Sequence, residues 1–149
     1  MADAPAQRPP RPDIREANKA VVEAYRARGG NEAGATTPLV ILTTRGAHTG
    51  NAHVTPVAVQ PDGDRLIVAG SMGGLPRHPQ WYRNLLADPT LVVEYEGVTY
   101  PARASTVPDG PERDRLFTLM NQVIPDLDKY QERAKATRQI PIIVLEREG

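Results

Sequence analysis

The residues of this 149-residue chain that could do chemistry sit in glycine-rich polar stretches and at three histidines. Gly70-Ser71-Met72-Gly73-Gly74 is too polar and flexible for a strand, and reads as a loop where backbone meets a ligand. Ser71 lacks the setting of a hydrolase nucleophile. The run from Ala69 to Gly73 misses the first glycine of a nucleophile elbow, and no acid and histidine pair accompanies it. His48, His53 and His78 do not share helical i, i+4 spacing and no carboxylate joins them, which argues against zinc. Cysteine is absent, which removes thiolate catalysis, disulfides and thiolate-bound metals. Gly29-Gly30-Asn31-Glu32-Ala33-Gly34 suggests a phosphate loop, but no Gly-Lys-Ser/Thr follows and Pro38 intervenes. No GxGxxG joins a strand to a helix, so an ordinary dinucleotide fold has no support.

These residues must be positioned by the stretch from Leu39 to Asn84. Val40, Ile41 and Leu42 form an apolar run that stops at Thr43 and Thr44, and the turn Arg45 to Gly50 returns the chain into a second strand, Ala52 to Val59. In that strand His53, Thr55, Val57 and Val59 share one face and Val54, Pro56, Ala58 and Gln60 the other. Pro56 cannot donate to a ladder, which predicts an edge or a bulge. Pro61-Asp62-Gly63-Asp64 is a turn leading to a third strand, Arg65 to Ala69. Pro79 opens a helix over Gln80 to Ala87 with Trp81, Leu85 and Tyr82 inward and Arg83 and Asn84 pointing elsewhere. Strands Leu91 to Tyr95 and Val98 to Ala104 form a hairpin about Glu96-Gly97. A helix follows over Glu112 to Val123 with Leu116, Met120 and Val123 in a stripe. Asp126 caps a further turn or two, Tyr130 to Ala136, and Ile140 to Leu145 is a last buried strand. The charged runs Pro111 to Arg115 and Tyr130 to Arg138 read as solvated helix faces.

Residues 1–12, rich in Pro, Ala and Arg, read as a disordered leader. Asp13 is a plausible N-cap for a helix with Ile14, Ala17, Val21, Val22 and Tyr25 on one face, ended by Gly29 and Gly30. Residues 13–149 are then a single domain. With 40% hydrophobic residues the chain can bury one core, and a net charge of +0 implies no general attraction to nucleic acid or an acidic membrane. No apolar run approaches the ~20 residues that cross a bilayer, and the composition fits the cytoplasm. Strands arriving as hairpins predict an α+β fold with a mainly antiparallel, six-stranded barrel and flanking helices.

Four stretches in this order, LTTRGAHTG, VAGSMGG, PQWYRNLLADP and YQERAKATRQIPIIVLE, resemble the deazaflavin (coenzyme F420)-dependent nitroreductase family. The likeness runs from Leu39 to Glu146, and it implies the split β-barrel of the flavin reductase-like proteins. By this resemblance the family's phosphate-holding turn matches Gly46-Ala47-His48-Thr49-Gly50, with Ala47 and His48 replacing two basic residues. Phosphate grip then leans on backbone N–H groups, Thr49 and a protonatable His48. His53, Val54, Thr55, Pro56 and Ala58 match the contact strand. Ala69, Gly70, Ser71 and Met72 match a strand end and loop at the cofactor, and Gln80, Trp81, Tyr82, Arg83 and Asn84 match the helix start. Tyr130 aligns with a tyrosine near the deazaflavin ring. Leu127, Arg133 and Ala58 stand where nitroimidazole-reducing members carry aromatic residues, which counts against that activity and leaves cofactor binding untouched.

The implied function is transfer of a hydride from reduced F420 to a small electron-poor acceptor: a quinone, an activated alkene or a nitroaromatic. The protein then needs to hold the ring, exclude water and polarise the acceptor, and Ser71 and Tyr130 are the candidates for the last role. Each has a plainer alternative. Ser71 can cap a loop, Tyr130 can pack against the barrel with its hydroxyl in water, and Trp81 reads first as a core anchor. The rival readings are an FMN-dependent reductase on the same barrel and a non-catalytic deazaflavin carrier. Oligomeric state is not legible at this level.

Overall fold

The structure is a computed structural model, and it describes residues 14–148. The expected leader and the Asp13 cap lie outside the described residues. Helix α1 (Ile14–Arg28) places Glu16 in its first turn and Arg26 and Arg28 in its last, in the sense that complements the helix dipole. Gly29 ends it at φ +78°, a conformation that costs glycine no Cβ clash. Strands β1 (Leu39–Arg45), β2 (Ala52–Ala58), β3 (Gln60–Asp62) and β4 (Arg65–Ala69) follow, then a single 3-10 turn at Met72–Gly74 and helix α2 (Gln80–Ala87). Strands β5 (Thr90–Tyr95) and β6 (Val98–Thr106), helices α3 (Pro111–Asn121) and α4 (Leu127–Ala134), and strand β7 (Ile142–Arg147) complete the described chain.

The seven strands pair in the order β2-β1-β5-β6-β7-β4-β3, antiparallel throughout. The two ends of that order, β2 and β3, are consecutive in the chain and separated by Val59 alone. Val59 donates its N–H to Pro38 O at 3.0 Å, one pair beyond the Leu39–Ala58 end of the β1–β2 register. One stretch of chain thus pairs with β1 at its start and with β4 at its end, which curls the sheet round on itself and leaves little free edge. The extra strand relative to the expected six is β3. Its residues Pro61 and Asp62 read as turn formers, but the turn itself is Gly63-Asp64, and hairpin pairing with Leu66 and Arg65 draws them into the sheet. Pro56 lies in β2 at the end of the strand order, as its missing donor requires, and the change of partner from β1 to β4 falls three residues later at Val59.

Inside the curl, Val40, Leu42, Val68, Val93 and Leu145 meet Trp81, Tyr82 and Leu85 of α2. Outside it, the opposite faces of β4 and β7 are covered by α3 and α4, where Ile67, Leu116, Met120, Leu127 and Ile142 are fully buried. Burial of each such side chain stabilises the fold by about 1.5–3 kcal/mol. A third cluster joins Val22 and Tyr25 of α1 to Ile41 of β1. Tyr25 also accepts a hydrogen bond from the Glu96 N–H at 3.0 Å, and Arg26 forks onto Glu94 at 2.8 and 2.7 Å, so α1 is fastened across β1 and the β5–β6 hairpin. Its buried stripe is narrower than the expected face, since Ala17 is exposed and Val21 is 39% exposed.

Several local expectations are corrected by long-range packing. Asn84, expected to point away from the interior, is fully buried. Asp126 occupies the N-cap position of α4 without a side-chain cap hydrogen bond. The charged runs are not uniformly solvated. Arg113 is 7% exposed, donates to Ile140 O and lies 5.4 Å over the Phe117 ring. Arg138 is half-buried, for reasons given below.

Candidate functional site

Two adjoining hollows, one between α1 and β2 and one against Ser71 and Met72 of the Gly70–Leu75 loop, make up the candidate channel. Its outer part, about 820 Å³, is lined by Asn18, Lys19, Val22, Glu23 and Arg26 of α1 and by Gly46, Thr49 and the segment from Asn51 to Thr55. Its inner part, about 400 Å³, is lined by Thr55, Val57, Ala58, Ala69, Ser71, Met72, Gln80, Trp81 and Ile124. Asn18, His53 and Thr55 belong to both, so the two hollows share a wall. A separate hollow of about 350 Å³ on the outer sheet face, around Thr43, Arg45, Val92 and Pro101, contains no candidate site residue.

The turn at the outer end is held from within. Gly46 N–H donates to Asn51 O at 2.8 Å and Gly50 N–H to Gly46 O at 2.9 Å, while Thr49 Oγ1 accepts from Asn51 N–H at 3.1 Å. Ala47 N–H donates to the buried Oδ1 of Asn84 at 3.0 Å, an oxygen that also accepts from Gln80 Nε2 at 2.8 Å. Asn84 Nδ2 donates to Thr44 Oγ1 at 3.0 Å. Of the five turn amides, those of His48 and Thr49 have no partner among the described residues. The amide of Ala47, expected among the ligand donors, is spent on Asn84.

The loop at the inner end is unusual backbone. Met72 has φ +46°, followed by Gly73 at +63° and Gly74 at +78°. Methionine in the left-handed region carries a steric cost of about 1–2 kcal/mol, which the surroundings must outweigh. Gly74 is obligatory, because a Cβ there would lie 2.8 Å from Tyr130 O. The Ser71 side chain makes no cap hydrogen bond to the 3-10 turn, so the plain capping alternative is not what the loop uses. His78, below the loop, packs edge-on to Tyr82 at 5.0 Å. Burial, followed by the charges of Arg138 and Arg83, lowers its pKa below the usual histidine value.

Of the candidate residues, His53, Thr55, Ala58, Ala69, Ser71, Met72, Gln80 and Trp81 come together on the inner part of the channel, and Thr49, His53, Val54 and Thr55 on the outer. Trp81 is both core and lining, at 6% exposure. Tyr82 is buried in the curl with its hydroxyl 2.8 Å from Thr106 Oγ1, and Asn84 supports the turn, so neither lines the channel. Ala47, His48, Pro56, Gly70 and Arg83 do not line it either. The Tyr130 ring packs half-buried on the α3–α4 cluster, with its backbone against Gly74. Sequence reasoning missed Asn18, Lys19 and Ile124, which reach the channel from elements more than a dozen residues distant from the glycine turns.

A curled antiparallel sheet with helices on its outer face, and hollows between its edge strand and a glycine loop, defines a split-barrel protein. The same fold is seen in the heme storage protein HutZ of Vibrio cholerae, at 15% identity, TM-score 0.56, and 88% and 90% coverage of the two chains. Residues 17–147 match the family described as F420H(2)-dependent quinone reductase, and the chain belongs to that family. It is 32% identical over 112 residues, 74% of each chain, to an F420H(2)-dependent quinone reductase of Mycobacterium tuberculosis. A solved F420-H2 dependent reductase superposes with TM-score 0.66 at 31% identity, covering 73% of this chain and 94% of that one.

Proposed function

We propose that this protein is a reductase that uses reduced F420 to reduce a small quinone-type acceptor, with the acceptor and the redox ring meeting in the inner part of the channel. The observation that carries this reading is that the two hollows adjoin at Asn18, His53 and Thr55, one reaching Gly46 and Thr49 of the turn and the other Ser71 and Met72 of the loop. An elongated anionic cofactor fits the residues present. Thr49 and Lys19 line the outer part, Lys19 without an ion pair among the described residues, and the turn beside it carries the His48 and Thr49 amides, which have no partner among the described residues. The inner part is narrower and more apolar, walled by Val57, Met72, Trp81 and Ile124, which suits a planar ring.

When bound, reduced F420 supplies a hydride. The chain's own residues then have positioning and electrostatic work to do. Val57, Met72 and Trp81 exclude water from the inner part. Ser71, whose hydroxyl has no cap to make, donates a hydrogen bond to an acceptor oxygen as negative charge develops on it. Thr49 and Lys19 hold the anionic tail from the lining, the His48 amide does so from the adjoining turn, and His53 and Thr55 lie on the wall the two parts share. Tyr130 reaches this chemistry through Gly74 and the loop, since its ring is not on the channel lining. Family membership favours F420 over FMN. Nucleic acid has no part in this reading, and no described helix is long and apolar enough to cross a membrane. A cysteine-free chain is compatible with the cytoplasm, the location we propose.

The test is titration of the purified protein with oxidised F420 against FMN, followed by quinone addition under excess reduced F420. Preferential F420 binding and quinone-dependent consumption of the reduced cofactor are expected. Binding without turnover would make the protein a carrier, and preference for FMN would overturn the cofactor assignment.

A further inference from the structure

Arg138 follows α4 and precedes β7, and its guanidinium is spread over the back of the cavity loop. Nη1 donates to Gly70 O at 2.8 Å, Nη2 to Ser71 O at 2.8 Å and Nε to Leu75 O at 2.9 Å. Nη1 also meets His78 Nδ1 at 3.1 Å, a contact in which the neutral imidazole accepts. Arg133 adds a further bond, from Nη1 to Gly73 O at 2.9 Å. Two arginines thereby hold four carbonyls of one six-residue loop. The segment they hold contains the left-handed Met72, and it presents Ser71 and Met72 to the inner cavity. Neither arginine lines that cavity.

A loop of glycines would ordinarily populate many conformations, and a left-handed methionine would relax. The planar fork is suited to the opposite result, because it satisfies several carbonyls at fixed angles with one rigid group. Burial of Arg138 lowers its pKa, and a guanidinium keeps its charge in proteins, so the charge persists. No carboxylate partners it among the described residues, and carbonyl oxygens take up its donors instead.

We propose that Arg138 is a positioning residue for the reductase reaction: it locks the Gly70–Leu75 loop, with Met72 left-handed, so that Ser71 and Met72 face the bound ring and acceptor. This rests on the assignment of the inner cavity as the place where they meet. Arg133 assists at Gly73, at the exposed end of the same loop.

Arg138→Gln removes the fork, and Arg138→Lys keeps the charge but cannot span three divergent carbonyls. Arg113→Gln is the control, since Arg113, more deeply buried than the half-buried Arg138, is also bonded to a carbonyl, that of Ile140, away from the cavity. The chain's single tryptophan, Trp81, shares the cavity wall with Ser71 and Met72, so its emission and acrylamide quenching report on the loop without any cofactor. Expected for both Arg138 variants are increased quenching of Trp81 and loss of oxidised-F420 affinity of about tenfold, with kcat also lowered at saturating cofactor. Arg113→Gln is expected to lower the unfolding midpoint while leaving quenching and affinity within about twofold. If Arg138→Gln does not fold, Arg138→Lys carries the measurement. Unchanged Trp81 quenching, or affinity and kcat within twofold of the parent protein in the folded Arg138 variants, overturns the proposal. Failure of the parent protein to bind F420 would sink the functional assignment instead, and the quenching comparison would still decide whether Arg138 holds the loop.

Discussion

Replacing Asn84 by alanine tests whether the turn at Gly46–Gly50 is built from below by one amide. Asn84 is fully buried, and its side chain serves Thr44, Ala47 and Gln80 at 2.8–3.0 Å. The three partners do not lose equally. Ala47 is exposed and Gln80 half-buried, so water can replace the amide oxygen there. Thr44 is 2% exposed, and its hydroxyl's one other hydrogen bond among the described residues is a long 3.5 Å one to His53 O. Stranding that hydroxyl costs about 1–2 kcal/mol. The void left by the missing amide adds roughly 1 kcal/mol. A loss of about 2–3 kcal/mol is therefore expected, a large share of the roughly 5–15 kcal/mol that holds a domain of this kind. Urea unfolding of the two proteins measures it, with the slope m unchanged if the native state stays compact. Oxidised-F420 affinity should fall as well, because the freed turn must be reordered on binding. Thr44→Val supplies the second arm of a double-mutant cycle, and a coupling energy of about 0.5 kcal/mol or more is expected for the pair. A loss below about 0.5 kcal/mol with F420 affinity intact would refute the reasoning, since an exposed asparagine behaves that way.

Three further outcomes are expected. Ser71→Ala should lower quinone-dependent kcat about tenfold or more while F420 affinity and the unfolding midpoint change little, as read by steady-state kinetics and titration; an unaltered kcat removes Ser71 from the chemistry. Gly74→Ala should cost about 2 kcal/mol or more, because its Cβ would meet Tyr130 O at 2.8 Å in a left-handed conformation, and a thermal midpoint equal to the parent's contradicts the geometry. His78 has its folded-state pKa held below 6.5, first by burial and then by Arg138 and Arg83, so on acidification the unfolded chain takes up the proton first. Its stabilising contribution is complete above pH 6.5 and declines as pH falls from there through the folded-state value. The denaturation midpoint of the parent should accordingly fall over that range more steeply than that of His78→Gln, and parallel profiles would exclude the effect.

The elements that resolve locally were legible in the sequence because their causes are local. Gly29 after a polar helix, Glu96-Gly97 between two alternating strands and Pro79 before α2 each act within a few residues, and each is found in place. The order of four family-like stretches likewise identified the cofactor class without any coordinates. Tertiary structure decided what depends on partners far away in the chain. Pro61 and Asp62 form a strand on β4, whose own partner β7, the last strand of the described chain, builds the sheet they join. Asn84 entered the interior because Thr44 and Ala47, some forty residues earlier, supply its hydrogen bonds. Arg138 sits in a polar run that reads as solvent-facing, and its partners are separated from it by more than sixty residues. Residue type and periodicity report a side chain's preference between water and the interior. They carry no record of which distant carbonyl or hydroxyl will meet it, and that pairing is what made a buried amide and a half-buried guanidinium parts of the site's frame.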